Sequence, residues 1–290
     1  TETQKLDRVA NVLSDININN LGRMDVVDYT ASDGQALSGY LTHPPSGTSG
    51  AKPLVVLVHG GPEARDYFDF EQWSQYLASN GFRVFQPQFR GSSGYGKAFA
   101  EAGYGQWGGL MQDDVTDGVE HLIRTGKATR GNICIIGASY GGYAALMGGI
   151  KTPDLYNCAA SVNGVTDLIE MVDYDKDYYG KKSETYDYVK RTIGDPKADK
   201  ARMVAHSPTK QAARLKIPVL LIHGEKDEVV PIEQAQKMRD AMKKSGNSPE
   251  YIELSGINHN LRGDKPGIYG ERTTLENLRI FLKKHLKSQN

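Results

Sequence analysis

The sequence predicts an α/β fold, a mostly parallel sheet of about eight strands with helices on both faces. Three observations carry this. Uninterrupted apolar runs of strand length recur at 54–58, 133–136 and 219–222, and such runs suit strands covered on both sides. Segments of helical periodicity alternate with them, as expected when parallel strands are joined by crossover helices. Finally, Gly137-Ala138-Ser139-Tyr140-Gly141 lies between a strand-like run and a helix-like one, the context of a sharp turn that lifts a serine hydroxyl above the sheet.

Taken in order, residues 1–22 are polar and Asn-rich and read as a lead-in, with the main domain spanning 23–290. The runs 26–30 and 37–43 flank Asp33-Gly34, a strong turn signal, and form a hairpin. Pro, Gly and Ser make 44–50 a loop. Strand 54–58, helix 72–79 and strand 82–86 precede a glycine-rich loop, Arg90 to Gly96. Val115, Val119 and Leu122 lie at helical spacing in 115–124, and Gly126 stops that helix. Strand 133–136, helix 144–150 and strand 159–162 follow. Residues 166–212 break the alternation. They are polar and Tyr-rich, with short helices at 168–171 and 186–193, and read either as a lid or pocket wall or as a plain connecting helix pair. Strand 219–222, helix 233–244 opened by Pro231, strand 251–254 and helix 275–286 complete the chain. No internal repeat is visible.

Composition narrows the function classes. Hydrophobic residues make up 39% and charged residues 24% of the 290, the balance of a soluble globular chain able to bury a large core. Lys plus Arg number 35 and Asp plus Glu 35, so no net field recruits nucleic acid or an anionic membrane. No apolar run approaches the ~18 residues of a membrane span. The chain opens at Thr1 with no visible signal peptide, which leaves cytoplasm and periplasm both open. Cys134 and Cys158 fall in apolar strand-like runs and read as two buried free thiols. The Arg90 loop lacks the Lys-Ser/Thr of a phosphate loop, and neither a metal cluster nor a dinucleotide fingerprint occurs, so no cofactor is expected.

A serine at a helix start is often only an N-cap. To act as a nucleophile, Ser139 needs a base, an orienting acid and an oxyanion site. Of seven histidines, His59 and His223 end strands. His259, in Gly256-Ile257-Asn258-His259, follows the last strand and comes after an acid. That acid is Asp227, with Glu225 as a rival and turn formation as the ordinary alternative. The order Ser139, Asp227, His259 is the one this topology requires. The oxyanion donors would be the backbone N–H of Tyr140 and that of Gly61, with Gly60 second, in His59-Gly60-Gly61-Pro62; the ordinary alternative is a simple turn.

These residues resemble the catalytic domain of the prolyl oligopeptidase family of serine peptidases, nearest its acylaminoacyl-peptidase and dipeptidyl-peptidase branches. The matching stretches are Asp33-Gly34, His59-Gly60-Gly61-Pro62, Phe89-Arg90-Gly91-Ser92-Ser93-Gly94-Tyr95-Gly96, Asp113-Asp114, Gly137-Ala138-Ser139-Tyr140-Gly141-Gly142-Tyr143, Ser207-Pro208, the Asp227 segment and His259, together spanning about 25–286. The resemblance implies an α/β-hydrolase fold, with Ser139 as nucleophile, Asp227 as acid, His259 as base, and Tyr140 and Gly61 as oxyanion donors. Gly256-Ile257-Asn258 departs from the charged residues that usually precede the histidine. Family members normally carry an N-terminal β-propeller that restricts access to short peptides. Residues 1–22 resemble the exit from such a propeller, which would be a partner domain of the same gene product.

The expected activity is hydrolysis of short aminoacyl, dipeptidyl or acyl-aminoacyl peptides through an acyl-enzyme, rising with pH as the imidazole base loses its proton. The same triad would serve a carboxylesterase acting on small acyl esters. A fold kept only for binding is the non-enzymatic reading, disfavoured because every triad residue type is present. Homo-oligomer formation is open.

Overall fold

A computed structural model of the chain describes residues 17–45, 52–264 and 268–287. Most of the expected lead-in and part of the 44–50 loop lie outside them. The elements are β1 (Met24–Thr30), β2 (Ala36–Thr42), β3 (Leu54–Val58), α1 (Gln72–Ser79), β4 (Arg83–Gln88), α2 (Lys97–Glu101), α3 (Leu110–Arg124), β5 (Ile133–Ala138), α4 (Tyr140–Lys151), β6 (Cys158–Val162), α5 (Leu168–Tyr179), α6 (Glu184–Thr192), α7 (Lys200–Ala205), β7 (Val219–Gly224), α8 (Glu233–Lys244), β8 (Glu250–Leu254) and α9 (Tyr269–His285).

The eight strands form one sheet in the order β1-β2-β4-β3-β5-β6-β7-β8. β1 and β2 form the expected antiparallel hairpin and β2 pairs antiparallel with β4. Every pairing from β4 to β8 is parallel, as expected of an α/β-hydrolase fold. Alternate residues of the central strands feed separate cores. Leu54, Val56, Val58, Ile133 and Ile135 pack with α3, α4 and α8 on one face. Val55, Leu57 and Ile136 pack with Leu77 of α1 and Leu278, Phe281 and Leu282 of α9 on the other. β3 is wholly buried, which explains why it reads as an unbroken apolar run.

One expectation is corrected. Cys134 and Cys158 are not free thiols but a disulfide. They stand directly opposite each other in the parallel register of β5 and β6, with Cα atoms 4.8 Å apart, within the range a disulfide spans. The insertion is also more helical than the sequence suggests. Asp167 caps α5 through bonds from the Ile169 and Glu170 N–H groups, and Ser183 caps α6 through the Tyr186 N–H. Pro231 stands two residues before α8 rather than at its first position.

Candidate active site

The sheet's carboxyl edge gathers the ends of β3, β5, β6 and β7. Ser139 joins β5 to α4 with φ 57° and ψ −121°, a conformation few non-glycine residues adopt. Its N–H donates to the Val162 carbonyl at 2.9 Å, and its own carbonyl accepts from Tyr143 N–H at 3.1 Å. The hydroxyl makes no capping bond, so the N-cap reading does not describe it. Glycine is required on both sides of this turn. A Cβ on Gly141 would lie 1.9 Å from the Val58 carbonyl oxygen, and one on Gly137 would lie 2.5 Å from that of Gly141. The helix start is drawn onto β3 and β5 until backbone meets backbone, and this holds the serine in its strained turn.

The turn after β3 leans on the same point. A Cβ on Gly60 would lie 3.2 Å from the Ala138 carbonyl oxygen and 3.4 Å from Ser139 Cβ. Gly61 adopts φ 115° and lines one cavity together with Ser139. His59 braces this turn. Its Nδ1 donates to the Gly60 carbonyl at 2.7 Å and its Nε2 lies 2.9 Å from Ser92 Oγ, while its ring stacks on Phe89 with centroids 4.4 Å apart. Burial lowers its pKa to about 4, so the ring is neutral near neutrality. The Tyr140 side chain belongs to the core, 1% exposed against Trp107, Phe89 and Tyr143. What it offers the site is its backbone N–H at the start of α4, where helical N–H groups lack an intrahelical acceptor.

Across the edge, His259 Nδ1 donates to Asp227 Oδ2 at 2.7 Å. Asp227 Oδ1 accepts from the N–H groups of Val229 and Val230 at 2.9 and 2.8 Å. Burial alone would raise this carboxyl, but hydrogen bonds from His223, His259 and the Val230 N–H outweigh it and hold the pKa at about 2. The rival, Glu225, is engaged elsewhere, accepting from Ser255 Oγ at 2.7 Å and Gly256 N–H at 2.9 Å. His223 stands behind the acid, its Nε2 2.8 Å from the Val230 carbonyl and 3.4 Å from Asp227 Oδ2.

Sequence reasoning missed Asn163, which follows β6 with φ 47° and is 1% exposed. Its Nδ2 donates to the His259 carbonyl at 2.9 Å and its Oδ1 accepts from Gly224 N–H at 2.9 Å. One side chain thus ties the His259 loop to the end of β7, the strand that leads to Asp227. An asparagine directly after a buried strand is the only sequence signal, because asparagine tolerates left-handed backbone. The Arg90 loop now has a physical role. Arg90 binds Asp114 through Nε and Nη2 at 2.8 and 2.7 Å, and Asp33 through Nη1 and Nη2 at 2.7 and 3.0 Å. It thereby staples the Asp33 turn, the Arg90 loop and α3 together.

Ser139 and Gly61 open into a cavity of about 190 Å³ walled by Trp107, Met171, Asp175 and Tyr188 among others. α5 and α6 supply much of that wall, so the insertion is more than a connector. Among the described residues no cluster of His, Cys, Asp or Glu could hold a metal, and no helix is long and apolar enough to cross a membrane.

Comparison with known proteins agrees with this architecture. Dipeptidyl aminopeptidase BIII of Pseudoxanthomonas mexicana is 34% identical over 235 residues, covering 78% of this chain and 34% of that protein. The acylamino-acid-releasing enzyme of Arabidopsis thaliana is 29% identical over 244 residues, covering 81% of this chain and 30% of that protein. Among solved structures, a puromycin-hydrolyzing peptidase of Mycobacterium tuberculosis superposes with a TM-score of 0.84 at 26% identity, over 94% of this chain and 41% of that one. The chain spans about a third of the length of these curated relatives. The sequence signature of the prolyl oligopeptidase family matches residues 68–289, and on that match, with these relatives, the chain belongs to the prolyl oligopeptidase family.

Proposed function

We propose that this chain is the catalytic region of a serine peptidase that hydrolyses short peptides through an acyl-enzyme on Ser139. The observation that carries the reading is the 2.7 Å bond from His259 Nδ1 to Asp227, made at the same sheet edge as a strained serine turn. With Nδ1–H given to the carboxylate, Nε2 is the basic nitrogen. In the proposed reaction His259 Nε2 takes the Ser139 hydroxyl proton as Oγ attacks the peptide carbonyl. The N–H groups of Tyr140 and Gly61 receive the developing oxyanion. His259 then protonates the leaving amine as the C–N bond breaks, and a water activated by the same imidazole releases the acid.

Serine peptidases among the relatives favour this reading over the carboxylesterase one. Ser139→Ala should abolish both turnover of aminoacyl and acyl-aminoacyl anilides and labelling by a fluorophosphonate. Labelling that persists in that variant sinks the nucleophile assignment. Ester cleavage without matched amide cleavage in the full-length protein would instead restore the esterase.

Two further assignments belong to the same reading. The greater length of the relatives supports a separate N-terminal domain, which we take to be a β-propeller that limits access to short peptides. The Cys134–Cys158 disulfide supports an oxidising compartment such as the periplasm over the cytoplasm. Alkylation of the unfolded, unreduced protein should add no label to either cysteine.

A further inference from the structure

Asp175 is a buried carboxylate that the proposed reaction does not use. It lies on α5, is 5% exposed, and lines the cavity that also contains Ser139 and Gly61. Among the described residues no cation or hydrogen-bond donor is engaged by its carboxyl. The adjacent Lys176 is committed to Asp173 and Asp177. The cavity is lined by apolar Val165, Met171 and Val189 and by the hydroxyl-bearing Tyr179, Thr185 and Tyr188. Burial alone pushes its pKa up to about 6.

An unpaired buried carboxylate is costly. Native proteins retain such groups chiefly where a ligand completes them. The cavity, at about 190 Å³, falls below the ~300–1,000 Å³ of sites for drug-sized ligands and suits a single side chain or chain terminus. Apolar walls would carry the methylene stem of a long cationic group while its head met the carboxylate. We propose that Asp175 makes this cavity a receptor for a substrate ammonium or guanidinium, held beside the bond that Ser139 attacks. The cation could be a Lys or Arg side chain or the substrate's amino terminus; the chemistry is shared. The inference rests on Ser139 being the nucleophile.

The test uses the full-length protein and p-nitroanilides of alanyl-lysine and alanyl-norleucine, each with a free and an acetylated amino terminus. A preference in kcat/KM for the cationic member of one pair is expected, on the order of 10- to 100-fold. Asp175→Asn should collapse that ratio towards one, and Asp175→Glu should retain part of it. A collapsing lysine-to-norleucine ratio identifies a side-chain cation; a collapsing free-to-acetylated ratio identifies the amino terminus. A wild-type protein without preference in either pair overturns the inference with no variant needed. So does an Asp175→Asn protein with both ratios intact, and in each case an inactive Ser139→Ala leaves the nucleophile standing. Turnover surviving in Ser139→Ala overturns the nucleophile assignment and this inference together.

Discussion

The two halves of the candidate site are held by different physics. On the Ser139 side, the serine turn is fixed by backbone pressed on backbone, with Gly137 and Gly141 leaving no room for a single methyl group, and the adjoining Gly60-Gly61 turn is braced by His59. On the Asp227–His259 side, both residues sit on loops fixed by hydrogen bonds from Asn163, His223, Val229 and Val230. Steric locking tolerates no substitution and by itself needs no particular protonation state, so the titratable brace on that side is His59. A hydrogen-bonded loop tolerates small changes of shape but fails when a donor or acceptor is lost. The same methyl group should therefore be ruinous on one side and minor on the other, while loss of polarity should do the reverse.

The largest effect tests the polar side. Asp227→Asn keeps an acceptor for Val229 and Val230 but removes the charge that orients His259. Turnover should fall by roughly 10³–10⁴-fold with the fold intact, as for loss of the acid in other triads. Steady-state kinetics beside a thermal melt would read both, and a fall in activity only in step with unfolding would break the contrast. Gly141→Ala tests the other side. Its Cβ would lie 1.9 Å from the Val58 carbonyl oxygen, so β3 or α4 must move. A stability loss of about 3 kcal/mol or more is expected, measured by denaturant titration. A near-wild-type midpoint would show that the turn is not sterically locked.

Asn163→Ala should have an intermediate outcome. It strands the Gly224 N–H and releases the His259 carbonyl, costing about 1–3 kcal/mol of stability. The sharper signal should be in kcat, falling on the order of 10- to 100-fold as the base loses its position. An unchanged kcat at equal loss of stability would make Asn163 a core residue with no bearing on the base.

The contrast also explains what could be read from the sequence. Steric locking writes itself as glycine at fixed spacing, so the Ser139 turn and the His59-Gly60-Gly61-Pro62 turn stand out before any coordinates. β3 and β5 are equally legible because burial on both faces forces continuous apolar runs. Hydrogen-bonded positioning leaves little trace. Asn163 and His259 are 96 residues apart, and nothing local marks their pairing. His59 and His223 both end strands, and the sequence could not tell that one braces the Gly60 carbonyl while the other backs Asp227. Register is hidden for the same reason. Cys134 and Cys158 look like two buried thiols until β5 and β6 are aligned and place them opposite each other.

The smallest effect separates the two halves by pH. His59 has its pKa lowered by burial to about 4, below the ~6.5 of an exposed imidazole. Between those values the unfolded chain binds the proton and the folded one does not. The stability tied to neutral His59 is thus complete above ~6.5 and drains away as pH falls to about 4. Asp227 has its pKa held at about 2, below the ~3.9 of a free aspartate, so its contribution is complete above ~4 and drains away only as pH falls towards about 2. Acid should therefore loosen the Ser139 side first. Asp175, raised by burial to about 6, gains protons in the folded state over much of the upper window and tilts the curve the opposite way. The informative quantity is accordingly the difference between wild type and His59→Gln, not the raw profile. That difference should change by about 3 kcal/mol between pH 7 and 4 and level off below it, by denaturant titration at each pH. A flat difference across the upper window would mean that His59 takes up its proton in the folded protein without penalty. The brace on the Gly60 turn would then survive with a charged ring, and the two sides of the site would share a single acid limit set by Asp227.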